Sequence, residues 1–119
     1  MEKEQRKYMR FECTLPAEVV KVESQNGTAG QARIDDFSRG GLKLVLNLDF
    51  DFVPGSKINL LCSLPYKDTK VQANTEIMWS KNEVGTWSLG LKILDMDPEA
   101  RSEILDSCYT QWQEKKLKN

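Results

Sequence analysis

Asp36-Phe37-Ser38-Arg39-Gly40-Gly41-Leu42-Lys43-Leu44-Val45-Leu46-Asn47 contains a turn and the strand that leaves it. Leu42, Leu44 and Leu46 alternate with Lys43, Val45 and Asn47, the period of two that buries one face of a strand. Gly40-Gly41 is a turn signal, and Asp36 and Ser38 are residues whose side chains bond nearby backbone in turns. The stretch predicts two β-strands joined tightly, and the same grammar extends from it in both directions.

Downstream, Ile58, Leu60, Cys62 and Leu64 alternate against Lys57, Asn59 and Ser63. Val71, Ala73, Thr75, Ile77 and Trp79 form one face of a longer strand. Trp87, Leu89, Leu91 and Ile93 form one face of the next, with Ser88, Gly90 and Lys92 opposite. Upstream, Leu15, Ala17 and Val19 alternate less cleanly, because Val20 and Val22 are apolar too. Turn signals at Asn26-Gly27, Pro54-Gly55, Pro65-Tyr66 and Asn82 to Gly85 separate the runs. About six short strands with tight turns predict a mainly β fold, a small six-stranded antiparallel β-barrel whose closure removes exposed edges.

The period changes at the C-terminal end. Asp97-Pro98-Glu99 offers an N-cap carboxylate, a proline at the first helical position and an acid in the first turn. Ile104, Leu105, Cys108 and Trp112 then share one face, and Lys115, Lys116 and Lys118 approach the negative end of the dipole. A C-terminal α-helix over about 98–116 is expected, packed on the barrel; its Tyr109 and Trp112 are also candidates for docking a partner. The chain reads as a single domain over 1–119: a flexible lead at 1–10, a barrel over about 11–95, and the helix.

Composition narrows the chemistry. The 119 residues carry 17 Lys and Arg against 18 Asp and Glu, a net charge of −1, with a pI of about 5.5. That balance disfavours long nucleic acid, whose binders use a basic surplus to displace counterions. There is no histidine, which excludes imidazole metal sites and histidine bases. Cys13, Cys62 and Cys108 are widely spaced without a C-x-x-C pair, so reduced buried thiols are expected and no metal. No nucleophile with a partner base is visible, and no catalytic residue is assigned: an enzyme is not expected. No apolar run is long enough to insert in a membrane, and the polar start MEKEQRK is unlike a signal peptide; the expected location is cytoplasmic.

Two motifs remain. Gln5-Arg6-Lys7-Tyr8-Met9-Arg10 is an R-x-x-x-R, and Asp36 to Gly41 is a D-x-S-x-x-G. Alone, the first reads as a solvated basic stretch and the second as a strand linker. In this order and spacing, with Trp87-Ser88-Leu89-Gly90-Leu91-Lys92-Ile93 as a late strand, the chain resembles the PilZ domain family. Arg6 and Arg10 match its first motif; Asp36, Ser38 and Gly41 match its second, with Gly40 as the doubled glycine.

That resemblance implies a bacterial receptor for the second messenger cyclic di-GMP, with no cofactor beyond this ligand. The residues suit it. A guanidinium can fork onto guanine O6 and N7 or onto a phosphate. The Asp36 carboxylate matches the donors at guanine N1 and N2, and Ser38 can accept a second bond or meet a phosphate oxygen. Gly40 and Gly41 permit close approach to backbone. Arg39 and Arg33 are auxiliary phosphate candidates, Tyr8 either stacks or packs, and Lys7 adds charge. Gln5, just before the first arginine, occupies a position that bears on ligand stoichiometry in the family. The expected output is ordering of the lead and altered contact with an unidentified downstream protein. The alternative is a PilZ-like adaptor acting by protein contacts without ligand.

Overall fold

The computed structural model describes residues 11–22, 30–47, 51–65 and 67–118. Gln5, Arg6, Lys7, Tyr8 and Arg10, with the expected lead, lie outside the described residues, as do the Asn26-Gly27 turn and Tyr66. Six strands precede one helix: β1 (Phe11–Val22), β2 (Gly30–Phe37), β3 (Gly41–Leu46), β4 (Lys57–Ser63), β5 (Lys70–Glu83), β6 (Thr86–Met96) and α1 (Pro98–Lys118). They close into a barrel in the order β1-β2-β3-β6-β5-β4, every pairing antiparallel. The expected six-stranded barrel with a C-terminal helix is the observed architecture.

Alternation builds the core. Leu42, Leu44 and Leu46 meet Ile58, Leu60, Ile77, Leu89 and Leu91 inside the barrel, all buried. Thr75 is the polar exception, and its hydroxyl donates to the Ile58 carbonyl at 3.0 Å, which removes the cost of burying it unpaired. The untidy pattern of β1 has a geometric cause. Its register against β4 shifts between Val19 and Lys21, so Val20 bulges outward and Val22 returns to the core.

The helix begins as its sequence requires. The Asp97 carboxylate accepts from the Ala100 amide at 3.0 Å, satisfying one orphan donor of the first turn. Ala100, Ile104 and Cys108 enter the core cluster, and α1 packs against β1 and β2.

One expectation fails. The alternation puts Trp79 on the same face as the buried Ile77, yet it is 40% exposed. The pairing of β5 with β6 slips between Ile77 and Trp79, and the bulge at Met78 turns the indole outward.

The β5–β6 hairpin carries strain. Val84 and Gly85 form its two-residue loop with φ of 51° and 83°, the double positive φ of a type I′ turn. A β-branched residue is poorly suited to that region, and Val84 is fully exposed with nothing to gain there. Val84→Asn is expected to stabilise the fold by about 1 kcal/mol. The check is the urea midpoint, and an unchanged or lower midpoint counts against strain at this turn.

Candidate functional site

Bulges also shape the outer surface beside the D-x-S-x-x-G loop. Ile34 points inward, so Asp36 two residues later would point inward as well if β2 were regular. The register against β3 instead slips between Ile34 and Asp36, and Phe37 becomes the next buried residue. The bulge at Asp35 turns Asp36 outward. Asp36 then stands opposite Glu12 of β1 and Lys43 of β3, Lys43 opposite Gly90 of β6, and Gly90 opposite Trp79 of β5. One row crosses five strands, with Asp36 near one end and Trp79 at the other.

Gly90 leaves a gap in that row. A Cβ there would collide with the Trp79 indole, which lies over the glycine. The missing side chain thus holds a flat aromatic ring against the sheet.

A cavity of about 540 Å³ opens beside Asp36, within the common range of about 300–1,000 Å³ for small-molecule sites. Arg33, Asp35, Asp36 and Lys43 line it from the sheet, Glu12 and Thr14 from β1, and Gln111 and Lys115 from α1. The described walls hold three cations (Arg33, Lys43, Lys115) and three anions (Glu12, Asp35, Asp36). Arg33 forks onto Asp35 at 2.5 and 3.1 Å, and this pairing raises its pKa further. Lys115 lies 3.5 Å from Glu12. These walls carry no surplus of positive charge for a phosphate.

The loop itself is fixed by its own hydrogen bonds. Ser38 is 4% exposed. Its hydroxyl accepts from the Gly40 and Gly41 amides at 3.3 and 3.1 Å and donates to the Gly41 carbonyl at 3.2 Å. The Ser38 amide donates to that same carbonyl at 2.9 Å. The Gly40 carbonyl receives Ile93 N–H at 2.9 Å, and the Arg39 carbonyl receives Arg101 Nη1 at 3.2 Å. Gly41 is buried where β6 approaches: a Cβ on it would lie 2.5 Å from the Leu91 carbonyl oxygen. Its missing side chain makes room for backbone of the neighbouring strand.

The site residues expected from sequence therefore separate. Asp36 faces the large cavity. Ser38 and Gly41 build the turn that holds Asp36, and Gly40 ties that turn to β6. Arg39 is exposed and borders a smaller cavity of about 180 Å³ with Pro98, Arg101 and Ser102. Gln5, Arg6 and Arg10 lie outside the described residues. Lys43, Trp79, Gln111 and Lys115 are added by the fold. Trp79 left one sequence signal: a glycine inside an otherwise apolar strand marks a place that a neighbouring group fills. Among the described residues, no group of three or more Cys, Asp or Glu could hold a metal, and no helix is long and apolar enough to cross a membrane.

A family model for the PilZ domain matches residues 4–110. The chain belongs to the PilZ domain family. That family comprises cyclic di-GMP receptors and adaptors rather than enzymes. No curated protein matches the sequence. Solved PilZ structures share the fold at low identity. The PilZ domain of YcgR from Escherichia coli with c-di-GMP superposes with a TM-score of 0.75 at 14% identity, over 98% of this chain and 100% of that one. The Bacillus subtilis inhibitor of motility MotI/DgrA gives 0.75 at 17% identity, over 94% of this chain and 53% of that one. YcgR from Escherichia coli in complex with c-di-GMP gives 0.70 at 15% identity, over 96% of this chain and 49% of that one. This PilZ domain thus spans about half the length of the latter two.

Proposed function

We propose that this PilZ domain binds cyclic di-GMP on the outer barrel face between Asp36 and Trp79, and that Arg6 and Arg10 close over it. The observation that carries the reading is the pair of bulges at Asp35 and Met78. They bring a carboxylate and an indole onto one surface row, with the partly exposed indole lying over Gly90, where a flat base can stack on it. Asp36 accepts from guanine N1 and N2. Trp79 offers its ring to a base, a contact worth about 1–3 kcal/mol. The described walls balance in charge, so the phosphates need cations from elsewhere, and Arg6 and Arg10 are the motif residues able to supply them. Gln5 and Arg39 are peripheral contacts in this reading. Solved YcgR structures hold the same ligand on the same fold, which supports the assignment.

Binding of residues 1–10 across the ligand alters the surface beside β1 and α1, and a downstream protein reads that change. The setting in this reading is the bacterial cytoplasm.

Titration calorimetry with cyclic di-GMP, beside GTP and cyclic GMP, tests this. Selective binding of the dinucleotide is expected, weakened at least roughly tenfold by Arg10→Ala, the loss of about one charge-assisted pair. Equal affinity of wild type and variant removes Arg10 from the site. Absence of any binding by the folded protein favours the adaptor that works through protein contacts alone.

A further inference from the structure

The row across the outer barrel face has an order of charge as well as of position. From β1 to β5 it runs Glu12, Asp36, Lys43, Gly90 and Trp79. Two carboxylates stand at one end, an indole at the other, and one ammonium between them. Neighbouring strands lie about 4.8 Å apart, so Lys43 is one step from Asp36 and two from Trp79.

The other cations of the cavity wall are engaged. Arg33 holds Asp35, and Lys115 reaches Glu12. Lys43 differs from both. It is half-buried, and among the described residues no carboxylate lies within ion-pair distance of it. An ammonium partly withdrawn from water without a counter-ion favours an anion that arrives from outside. Lys43 lines the 540 Å³ cavity, so its charge faces whatever occupies that space.

We propose that Lys43 is a phosphate contact of this site and fixes the direction in which the ligand lies, from Asp36 across β3 and β6 towards Trp79. The inference rests on the reading that cyclic di-GMP occupies the cavity. Guanine donates from N1 and N2 at one edge and carries its sugar at N9 on the opposite side of the ring system. A base that meets Asp36 with that edge sends its ribose and phosphodiester away from the carboxylate. Along the row there are two directions. Towards β1 stands the Glu12 carboxylate, which repels a phosphate; towards β3 stands the Lys43 ammonium, which attracts it. The phosphodiester settles over Lys43, and the far side of the ligand reaches the partly exposed indole that lies over Gly90. Lysine acts here as a point charge with three donors, so it serves either non-bridging oxygen. Arg6 and Arg10 close from outside, and Lys43 meets the phosphate from the sheet.

Calorimetric titration with cyclic di-GMP is run at low and at high sodium chloride on wild type, Lys43→Gln, Lys43→Arg and Lys43→Glu. Lys92→Gln makes the same charge change on β6, outside the cavity wall, and is the control. At low salt Lys43→Gln is expected to weaken binding roughly tenfold, the loss of about one charge-assisted hydrogen bond. Lys43→Glu should weaken it on the order of a hundredfold, while Lys43→Arg and Lys92→Gln stay within about threefold of wild type. High salt should narrow the gap between wild type and Lys43→Gln, because screening weakens a charge contact and leaves a packing contact alone. Preference for cyclic di-GMP over cyclic di-AMP should survive in Lys43→Gln, since Asp36 reads the base. Thermal melts should match wild type, as the side chain lies on the outer face.

Wild-type affinity in Lys43→Gln, a gap that salt does not change, or an equal loss in Lys92→Gln overturns the phosphate contact and leaves the ligand assignment standing. Loss of the guanine preference in Lys43→Gln moves the lysine from the phosphate to the base, which also overturns it. Absence of binding by the folded wild type fails the ligand assignment itself, and the role of Lys43 with it.

Discussion

Asp36→Ala is expected to weaken cyclic di-GMP binding roughly 10–100-fold, because a hydrogen bond to a charged group is worth about 1.5–3 kcal/mol and each 1.4 kcal/mol is tenfold. The carboxylate has two acceptor oxygens, of which Oδ1 is buried in this structure, to meet the two neighbouring donors at guanine N1 and N2. Alanine offers none, and the base must then keep its donors hydrated or leave them unpaired. Asp36→Asn should fall between wild type and alanine: its amide oxygen accepts one bond, while its NH2 group faces a donor. Asp36 is half-buried on the outer row rather than in the core, so the melting temperature should hardly move. Calorimetric titration beside a thermal melt checks both halves. Wild-type affinity in Asp36→Ala removes the carboxylate from the site, whereas loss of affinity with loss of folding assigns it a structural role.

The other end of the row supplies an independent control. Trp79→Ala removes the ring but no charge, and Asp36 and Trp79 are separated by two intervening strands. Their effects on binding should therefore add, to within a few tenths of a kcal/mol.

The fold was readable because alternation, turn residues and helix caps agreed with one another. Leu42, Leu44 and Leu46, the Asp97-Pro98 start and the turn within Asn82 to Gly85 needed no tertiary information. The bulges at Val20, Asp35 and Met78 could not be read in this way. A bulge is one unpaired residue in a ladder, decided by which partner strand it meets, and nothing local distinguishes it from regular strand. Its consequence is large, because a slip of one residue exchanges the two faces. Asp36 was found by its motif, although the parity of β2 alone would have buried it. Trp79 had no motif, and parity misplaced it. The same blindness extends to Ser38 and Gly41. Their residue types suit ligand contact and turn closure equally well, and only the positions of Leu91 and the loop amides separate the two uses.

Gly41 makes that separation testable. Gly41→Ala is expected to destabilise the fold by roughly 1–3 kcal/mol, the usual cost of forcing extra volume into packed structure. The added Cβ would sit 2.5 Å from the Leu91 carbonyl oxygen, and that oxygen belongs to the backbone of β6, which cannot swing aside as a side chain would. Relief requires β3 and β6 to part near their Gly41 and Lys92 pair, which strains the adjoining bond from Ile93 N–H to the Gly40 carbonyl. Gly90→Ala is the contrasting case. Its new methyl meets the Trp79 indole, a side chain that can rotate outward, so the fold should tolerate it while the ring leaves its place. Denaturant melts of the two variants should therefore diverge, with a clear loss for Gly41→Ala and little for Gly90→Ala. Under conditions where Gly41→Ala remains folded, its affinity for cyclic di-GMP should fall less than that of Asp36→Ala, because the glycine holds the loop and the carboxylate touches the base. Normal stability in Gly41→Ala with lost binding would reverse that assignment and return the glycine to the ligand surface.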